Sequence, residues 1–207
     1  YGNRTYNYFS SQYNTYSGGY VPRGQYIGDM EFQRCRPTEY TYAVFDNVND
    51  SRMWKTFKTV YGICNNVATP DYVKAENTPT FGDQGVLFLL NKKDDTRFRK
   101  DEFGRAAIKH TFVNPETGKW VPNVAPVYAE GQYVMNTYGT SAANRSNMFC
   151  GINKTADGSR TGEKGDAHRD VTMARVGETY LVKAECQVRN GDDAGALATI
   201  NLLRERA

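Results

Sequence analysis

The chain has 207 residues, of which 39% are hydrophobic, and this is enough for one domain or two small ones with a buried core. Its 26 basic and 23 acidic residues nearly balance, and the basic residues are dispersed without interleaved stacking aromatics. Nucleic acid is therefore not an expected ligand. The longest apolar run, Val86 to Leu90, is far too short to span a bilayer.

The first 30 residues contain seven of the fifteen tyrosines, mixed with Asn, Ser and Gly, and this composition predicts an irregular, turn-rich surface segment. Aromatic faces can cover the apolar side of a sugar ring while neighbouring polar side chains bind its hydroxyl groups. The segment therefore predicts a saccharide-binding surface that contains Tyr13, Tyr16, Tyr20, Arg23 and Tyr26. The alternative is that these tyrosines only pack a loop onto the rest of the protein.

The middle of the chain, up to about residue 144, alternates short apolar stretches with Gly, Pro and Asn, which predicts short strands and long loops. The strands are expected at residues 39–45, 84–90, 107–113 and 125–135. A hairpin is expected over residues 110–122, and Trp120, just past its turn, is an exposed ligand-binding candidate that could instead pack on its cross-strand partner. A polar, glycine-rich linker follows over residues 147–169.

Arg52, Trp54 and Phe57 share a strand-like block, and this position favours a core role for Trp54. The acidic clusters 46–50 and 94–95 lack the spacing of a known calcium loop, so solvated turns are favoured over calcium binding. No catalytic motif surrounds the two histidines or any acidic pair, so no enzyme activity and no cofactor are expected.

The four cysteines form no C-x2-C motif, which gives no support to zinc binding, although a disulfide remains open. Apolar neighbours favour buried free thiols at Cys64 and Cys186.

The end of the chain has the clearest helical pattern. Apolar and small residues recur at three- and four-residue steps and predict a first helix over residues 170–189, with Gly177 and Ala184 facing a second helix over residues 193–206. Asn190 and Gly191 are expected to end the first helix, and Asp192 and Asp193 to begin the second. Arg175 and Glu178 are expected to form a structural pair. Met173, Val176, Gly177 and Tyr180 fall on the first-helix positions of a tetratricopeptide repeat, with Met in place of Trp and Val in place of Leu, and a generic helical hairpin is the alternative.

Two segments resemble one known family, SusD/RagB. The first reads R-D-x4-R-x2-E-T-Y-L-x2-A-E and runs from Arg169 to Glu185, so that it includes Arg175, Glu178 and Tyr180. The second begins at Arg36-Pro37-Thr38 and continues to Phe57. Members of this family are outer-membrane lipoproteins of Gram-negative bacteria that capture nutrients, usually oligosaccharides, and pass them to a TonB-dependent transporter of the SusC type.

The resemblance implies a mixed, mainly α fold in the whole family. In this chain it implies an irregular, ligand-binding region of short strands and a hairpin over residues 1–168, followed by a tetratricopeptide-like helix pair over residues 169–207. It also implies non-catalytic glycan binding at the cell surface, with RagB-like peptide binding or a scaffold that docks on the transporter as alternatives. Some members carry calcium. Since members are more than twice as long, this chain is expected to be an internal fragment, whose membrane attachment would come only from a lipid anchor that it does not carry.

Overall fold

A computed structural model describes residues 3–24, 27–28, 30–46, 49–100, 106–107, 112–135, 147–160, 162 and 166–206. Within these residues the helices are α1 (Thr5–Tyr8), α2 (Tyr13–Tyr16), α3 (Glu39–Ala43), α4 (Ser51–Thr56), α5 (Val176–Arg189) and α6 (Asp193–Arg204). The strands are β1 (Phe57–Lys58), β2 (Val60–Gly62), β3 (Gln84–Leu89), β4 (Arg99–Lys100), β5 (Ala106–Ala107), β6 (Asn123–Pro126), β7 (Tyr128–Ala129), β8 (Gln132–Tyr133) and β9 (Gly151–Ile152).

A three-stranded sheet organises the core. Strand β3 lies in its centre, antiparallel to β2 and parallel to β6. A Cβ at Gly85 would lie 2.9 Å from the Val21 side chain, so glycine permits the opening segment to approach the sheet this closely. The described strands outside this sheet form two-stranded antiparallel pairs, β1 with β9, β4 with β5 and β7 with β8. The strand predicted at 84–90 is confirmed as β3. The stretch predicted at 125–135 is divided among three short strands, the end of β6 followed by β7 and β8.

The tyrosine-rich opening segment packs on this sheet, which corrects the prediction of an irregular surface loop. The ring of Tyr13 stacks on that of Tyr61 with centroids 4.5 Å apart, and Tyr61 meets Phe88 edge-on at 6.2 Å. Tyr20 packs edge-on against Trp120 at 6.2 Å. Aromatic side chains bury large apolar areas, so the segment supplies a substantial part of the core that the short strands alone would lack.

Two predicted strand-like stretches are helical instead. The Thr38 hydroxyl accepts a hydrogen bond from the Thr41 N–H at 3.4 Å and caps α3, which occupies the stretch predicted as a strand at 39–45. Asp50 caps α4 by accepting from the Arg52 N–H at 3.0 Å and also binds its guanidinium. Side-chain caps can start helices that are too short to show a clear apolar period.

The placement of Trp54 in the core is wrong. Helix α4 directs Met53 inward, while the Trp54 side chain is 58% exposed. Phe57, which follows the helix, is buried and packs against Tyr42 and Phe45, with ring centroids 5.2 and 5.5 Å apart.

The predicted hairpin is confirmed at its turn. The Asn114 N–H donates to the Lys119 carbonyl at 2.8 Å, Gly118 has a positive φ of 70°, and Val113 pairs with Trp120. Residues 108–111 lie outside the described residues, and so does most of the strand predicted at 107–113.

Helices α5 and α6 pack as a pair. Helix α5 begins at Val176, later than the predicted residue 170, and Gly191 follows its end with φ +78°. The Asp192 carboxylate accepts from the Gly195 N–H at 2.9 Å and begins α6, as predicted. Ala184 and Ala196 are buried, whereas much of the outer apolar surface, including Leu181 and Val182, is exposed. The tetratricopeptide likeness and the division of the chain at residue 168 stay predictions.

The remaining structural expectations concern single residues. Glu178 binds Arg175 through the Arg175 backbone N–H, at 2.9 Å, so the expected pair forms with a different donor. Glu185 forms an exposed ion pair with Arg189, and Tyr180 is half-buried. All four cysteines are free, but Cys64 and Cys186 are exposed and Cys150 is the buried one, which corrects the predicted burial. Cys186 lies within α5, and Cys64 lies beyond the end of β2.

Candidate ligand-binding site

The predicted tyrosine platform is not an exposed surface. Tyr13, Tyr20 and Trp120 are 0%, 7% and 4% exposed, so their faces serve the core and the prediction of an exposed platform is wrong for them. The Tyr16 hydroxyl donates to the Val124 carbonyl at 3.1 Å, and burial raises the pKa of Tyr16. The packing alternative therefore describes these residues better.

The two other residues of the predicted platform, Arg23 and Tyr26, do not provide an exposed binding surface either. Arg23 forms an ion pair with the buried carboxylate of Glu31, with 2.6 Å between nitrogen and oxygen. Tyr26 lies outside the described residues.

A cavity of about 420 Å³ opens instead between the end of α3, the loop after β3 and strand β7. Its lining combines aromatic, carboxylate, amide and ammonium groups, and we call it the α3 pocket; the residues used below are Tyr42, Phe45, Asp46, Asn91, Lys92, Lys93 and Tyr128. A volume of this size lies within the usual range of small-ligand sites, about 300–1,000 Å³.

Aromatic packing holds the apolar lining in place. Phe45 is half-buried and meets Phe57 edge-on, while Tyr42 stacks on the same ring from within the core. Tyr128 meets Tyr133 edge-on at 6.2 Å. Because their neighbours fix these rings, the apolar side of the pocket is formed before any ligand arrives.

The polar side of the pocket is charged. Lys93 Nζ lies 2.9 Å from Glu39 Oε1 and 5.5 Å from the centroid of the Tyr128 ring. The hydrogen bond to Glu39 raises the pKa of Lys93, so the ammonium remains charged at neutral pH. The Asp46 carboxylate, which also lines the pocket, is exposed and accepts a hydrogen bond from the Asn49 side chain at 2.8 Å.

Asn91 fixes the loop that carries the two lysines. Its side-chain oxygen accepts from the Tyr128 N–H at 2.9 Å, and its amide nitrogen donates to the Tyr128 carbonyl at 2.8 Å and to Asp95 at 3.2 Å. Asp95 in turn binds the guanidinium of Arg97, and this hydrogen bond lowers the pKa of Asp95. The loop therefore presents Lys92 and Lys93 from a rigid base.

The pocket has the two chemical ingredients of a saccharide site, apolar rings beside hydrogen-bonding groups. Sequence reasoning missed it, because its residues come from three separated parts of the chain. The available local signal was the Thr38 cap, which places Tyr42 and Phe45 three residues apart at the end of a helix.

Neither a metal-ligand cluster nor a membrane-spanning helix occurs among the residues that the structure describes. Among the residues that the structure describes, no group of three or more His, Cys, Asp or Glu could hold a metal ion. One acidic residue of each cluster pairs with an arginine: Asp50 binds Arg52, and Asp95 binds Arg97. No helix in the described ranges is both long and apolar enough to cross a membrane.

Comparison with known proteins gives one match. The family model described as the SusD family matches residues 2–207, well beyond the two segments that carried the resemblance. No curated protein and no solved structure matches the chain. Proteins of this family are surface-exposed outer-membrane lipoproteins that bind nutrients without catalysis and generally work with SusC-type transporters. Because the match spans nearly its whole length, the chain belongs to the SusD family.

Proposed function

We propose that this protein binds an oligosaccharide at the cell surface and delivers it to a SusC-type TonB-dependent transporter, without catalysing a reaction. The observation that carries the proposal is the α3 pocket, in which fixed aromatic rings face charged and hydrogen-bonding groups. Family membership supports the cell-surface context and the proposed attachment to the outer membrane through a lipid.

Each part of the pocket has a role in this proposal. Phe45 covers the C–H face of a sugar ring, since its own edge packing leaves it half-exposed towards the cavity. Asp46 accepts hydrogen bonds from ring hydroxyls, and Lys92 and Lys93 donate to them. Transfer to the transporter requires release, so several weak polar contacts suit the function better than one deeply buried contact.

The test is calorimetry on the full-length protein, after an array of glycans and peptides has identified its best ligand. Phe45→Ala should weaken binding of that glycan by about threefold to tenfold, from a stacking contribution of roughly 0.5–1.5 kcal/mol. Asp46→Asn should weaken it as well, since a charge-assisted acceptor is lost.

Phe81→Ala is the matched control, because Phe81 is an exposed phenylalanine outside the pocket lining. Circular dichroism confirms that each variant folds. An array that returns peptides and no glycans would contradict the proposal, and so would equal glycan affinity in the Phe45 and Phe81 variants.

A further inference from the structure

A second cavity, of about 370 Å³, lies where residues 153–155 and 169–175 approach the last turn of α4. Four cationic side chains line it, against the single carboxylate of Asp170; the four are Lys55, Lys154, Arg169 and Arg175. We call this cavity the basic pocket. Its composition differs from that of the α3 pocket, because charged and amide groups dominate and none of the described residues that line it is aromatic.

Among the residues that the structure describes, the positive charge of the basic pocket is balanced only in part, by the carboxylate of Asp170. Nearby cations have carboxylate partners, Arg52 with Asp50 and Arg4 with Asp166. Within the described ranges, none of the four lining cations lies within 4.0 Å of a carboxylate. Most of their donors therefore remain available to a ligand.

The hydrogen bonds that the lining cations do make are to neutral groups. Lys55 Nζ donates to the Ser51 hydroxyl at 3.1 Å, and the Arg169 guanidinium donates to the Ala156 carbonyl at 3.3 Å. These bonds orient the two side chains without cancelling their charge. Burial and the neighbouring Arg175, Lys55 and Arg52 together lower the pKa of Lys154, as expected where like charges are held close to one another.

A hydrogen-bond frame holds the walls of the basic pocket. The Asp157 carboxylate accepts from the N–H groups of His168 and Arg169 at 2.7 and 2.8 Å, which positions the segment that carries Arg169. Asn3 donates to the Arg169 carbonyl at 3.2 Å, and the Asn153 N–H donates to the Thr56 carbonyl at 2.7 Å, which ties this wall to the end of α4. The cations are thus brought together by the fold rather than by a flexible tail.

One further polar group at this site lacks a partner. Thr155 lines the basic pocket, and its hydroxyl oxygen is shielded from solvent and makes no hydrogen bond within the part of the chain that the structure describes. Buried hydroxyls normally have partners, because an unmet one costs free energy. Its position beside four cations that have no carboxylate partner within the described ranges fits a ligand that presents several acceptor oxygens.

We propose that the basic pocket binds an oxyanion group, a carboxylate or a sulfate ester, carried by an acidic saccharide. Lys55, Lys154, Arg169 and Arg175 supply the charge, and the amides of Asn3 and Asn153 line the cavity beside them. Guanidinium groups bind such oxygens in pairs, and an ammonium contributes a point charge. The saccharide as the source of the anion rests on the proposed function, whereas the affinity for an oxyanion follows from the pocket alone.

The experiment compares three probes on the full-length protein by calorimetry: a galacturonate oligosaccharide, its uncharged methyl ester and sodium sulfate. The acid should bind about tenfold or more tightly than the ester, a difference of about 1.4 kcal/mol. Lys154→Gln and Arg175→Gln should each reduce the affinity for the acid by about fivefold to tenfold and leave the ester unchanged. Raising the salt concentration should weaken binding of the acid and leave binding of the uncharged ester unchanged, because these side chains are solvent-exposed and their charges are screened by salt.

Lys183→Gln is the control of equal charge, since Lys183 is an exposed lysine of α5 outside the cavity lining. Equal affinity for acid and ester would overturn the proposal, and so would an equal loss of affinity for the acid in the Lys183 variant. If sulfate binds but the acid binds no more tightly than its methyl ester, a saccharide is not the source of the bound oxyanion. A third outcome separates the two proposals. If the ester still binds and Phe45→Ala still weakens that binding, while acid and ester bind equally well, this inference fails and the proposed function stands.

Discussion

Replacing Tyr13 by alanine separates a core role for the opening segment from a ligand-binding role. The Tyr13 side chain is completely buried and stacks on Tyr61 at 4.5 Å. An aromatic side chain buries about 150–250 Å², which at about 25 cal/mol per Å² corresponds to roughly 4–6 kcal/mol as an upper limit. Measured truncations of buried aromatics cost about 3–5 kcal/mol, and we expect Tyr13→Ala to lie in this range.

The loss should appear as a lower unfolding temperature of the full-length protein. For a domain of this size, each kcal/mol shifts the midpoint by about 2–4 °C, so a decrease of about 6–20 °C is expected. Tyr40→Ala is the matched control, since Tyr40 is 77% exposed, and its change in unfolding free energy should stay within about 0.5 kcal/mol. A Tyr13→Ala variant that melts like the wild type but loses glycan affinity would refute the core assignment and restore the tyrosine platform.

Three further changes test other contacts. Gly85→Ala places a methyl group 2.9 Å from Val21 and 3.0 Å from Ile63, so overpacking should cost about 1–3 kcal/mol in chemical denaturation; an unchanged midpoint would contradict the close approach. Among the described residues, the methyl group added by Gly177→Ala would contact Leu203 alone, at 3.9 Å, so the better helix propensity of alanine should stabilise the protein by about 0.5–1 kcal/mol. A loss of stability would show a tighter helix contact than described. Hydrogen bonds from Ser159, Arg169 and His168 hold the pKa of Asp157 well below its usual range. The ionised Asp157 carboxylate therefore contributes fully to folding stability above about pH 4, and this contribution is lost on further acidification. The difference in unfolding free energy between wild type and Asp157→Asn should shrink below that pH. A constant difference would count against these hydrogen bonds.

Local chemistry allowed several elements to be predicted from the sequence. The helix end at Gly191 and the cap at Asp192 need only a left-handed glycine and a carboxylate beside free N–H groups. The turn at residues 114–118 follows in the same way from Asn114 and Gly118. Such features are determined within a few residues, so the sequence around them is sufficient.

Features that depend on distant partners could not be predicted in this way. The burial of Tyr13 requires Tyr61, and the burial of Trp120 involves Tyr20, so composition alone indicated a surface. The α3 pocket likewise needs Tyr128 beside Phe45, more than 80 residues away in the chain. In the short helices α3 and α4, a single capping residue outweighed the strand-like pattern.

The pairing of Asn3 with Ala167 has a consequence for how the chain folds. Both residues donate backbone N–H groups to each other's carbonyls, at 2.8 and 2.7 Å, across 164 positions of sequence. During synthesis, Asn3 cannot pair with Ala167 until the 163 residues between them have been made. Contacts of such long sequence separation slow folding, and the apolar rings of the first segment stay uncovered in the meantime. We therefore expect folding of this region to be slower than that of the local α5–α6 pair, and its early intermediates to require protection from aggregation.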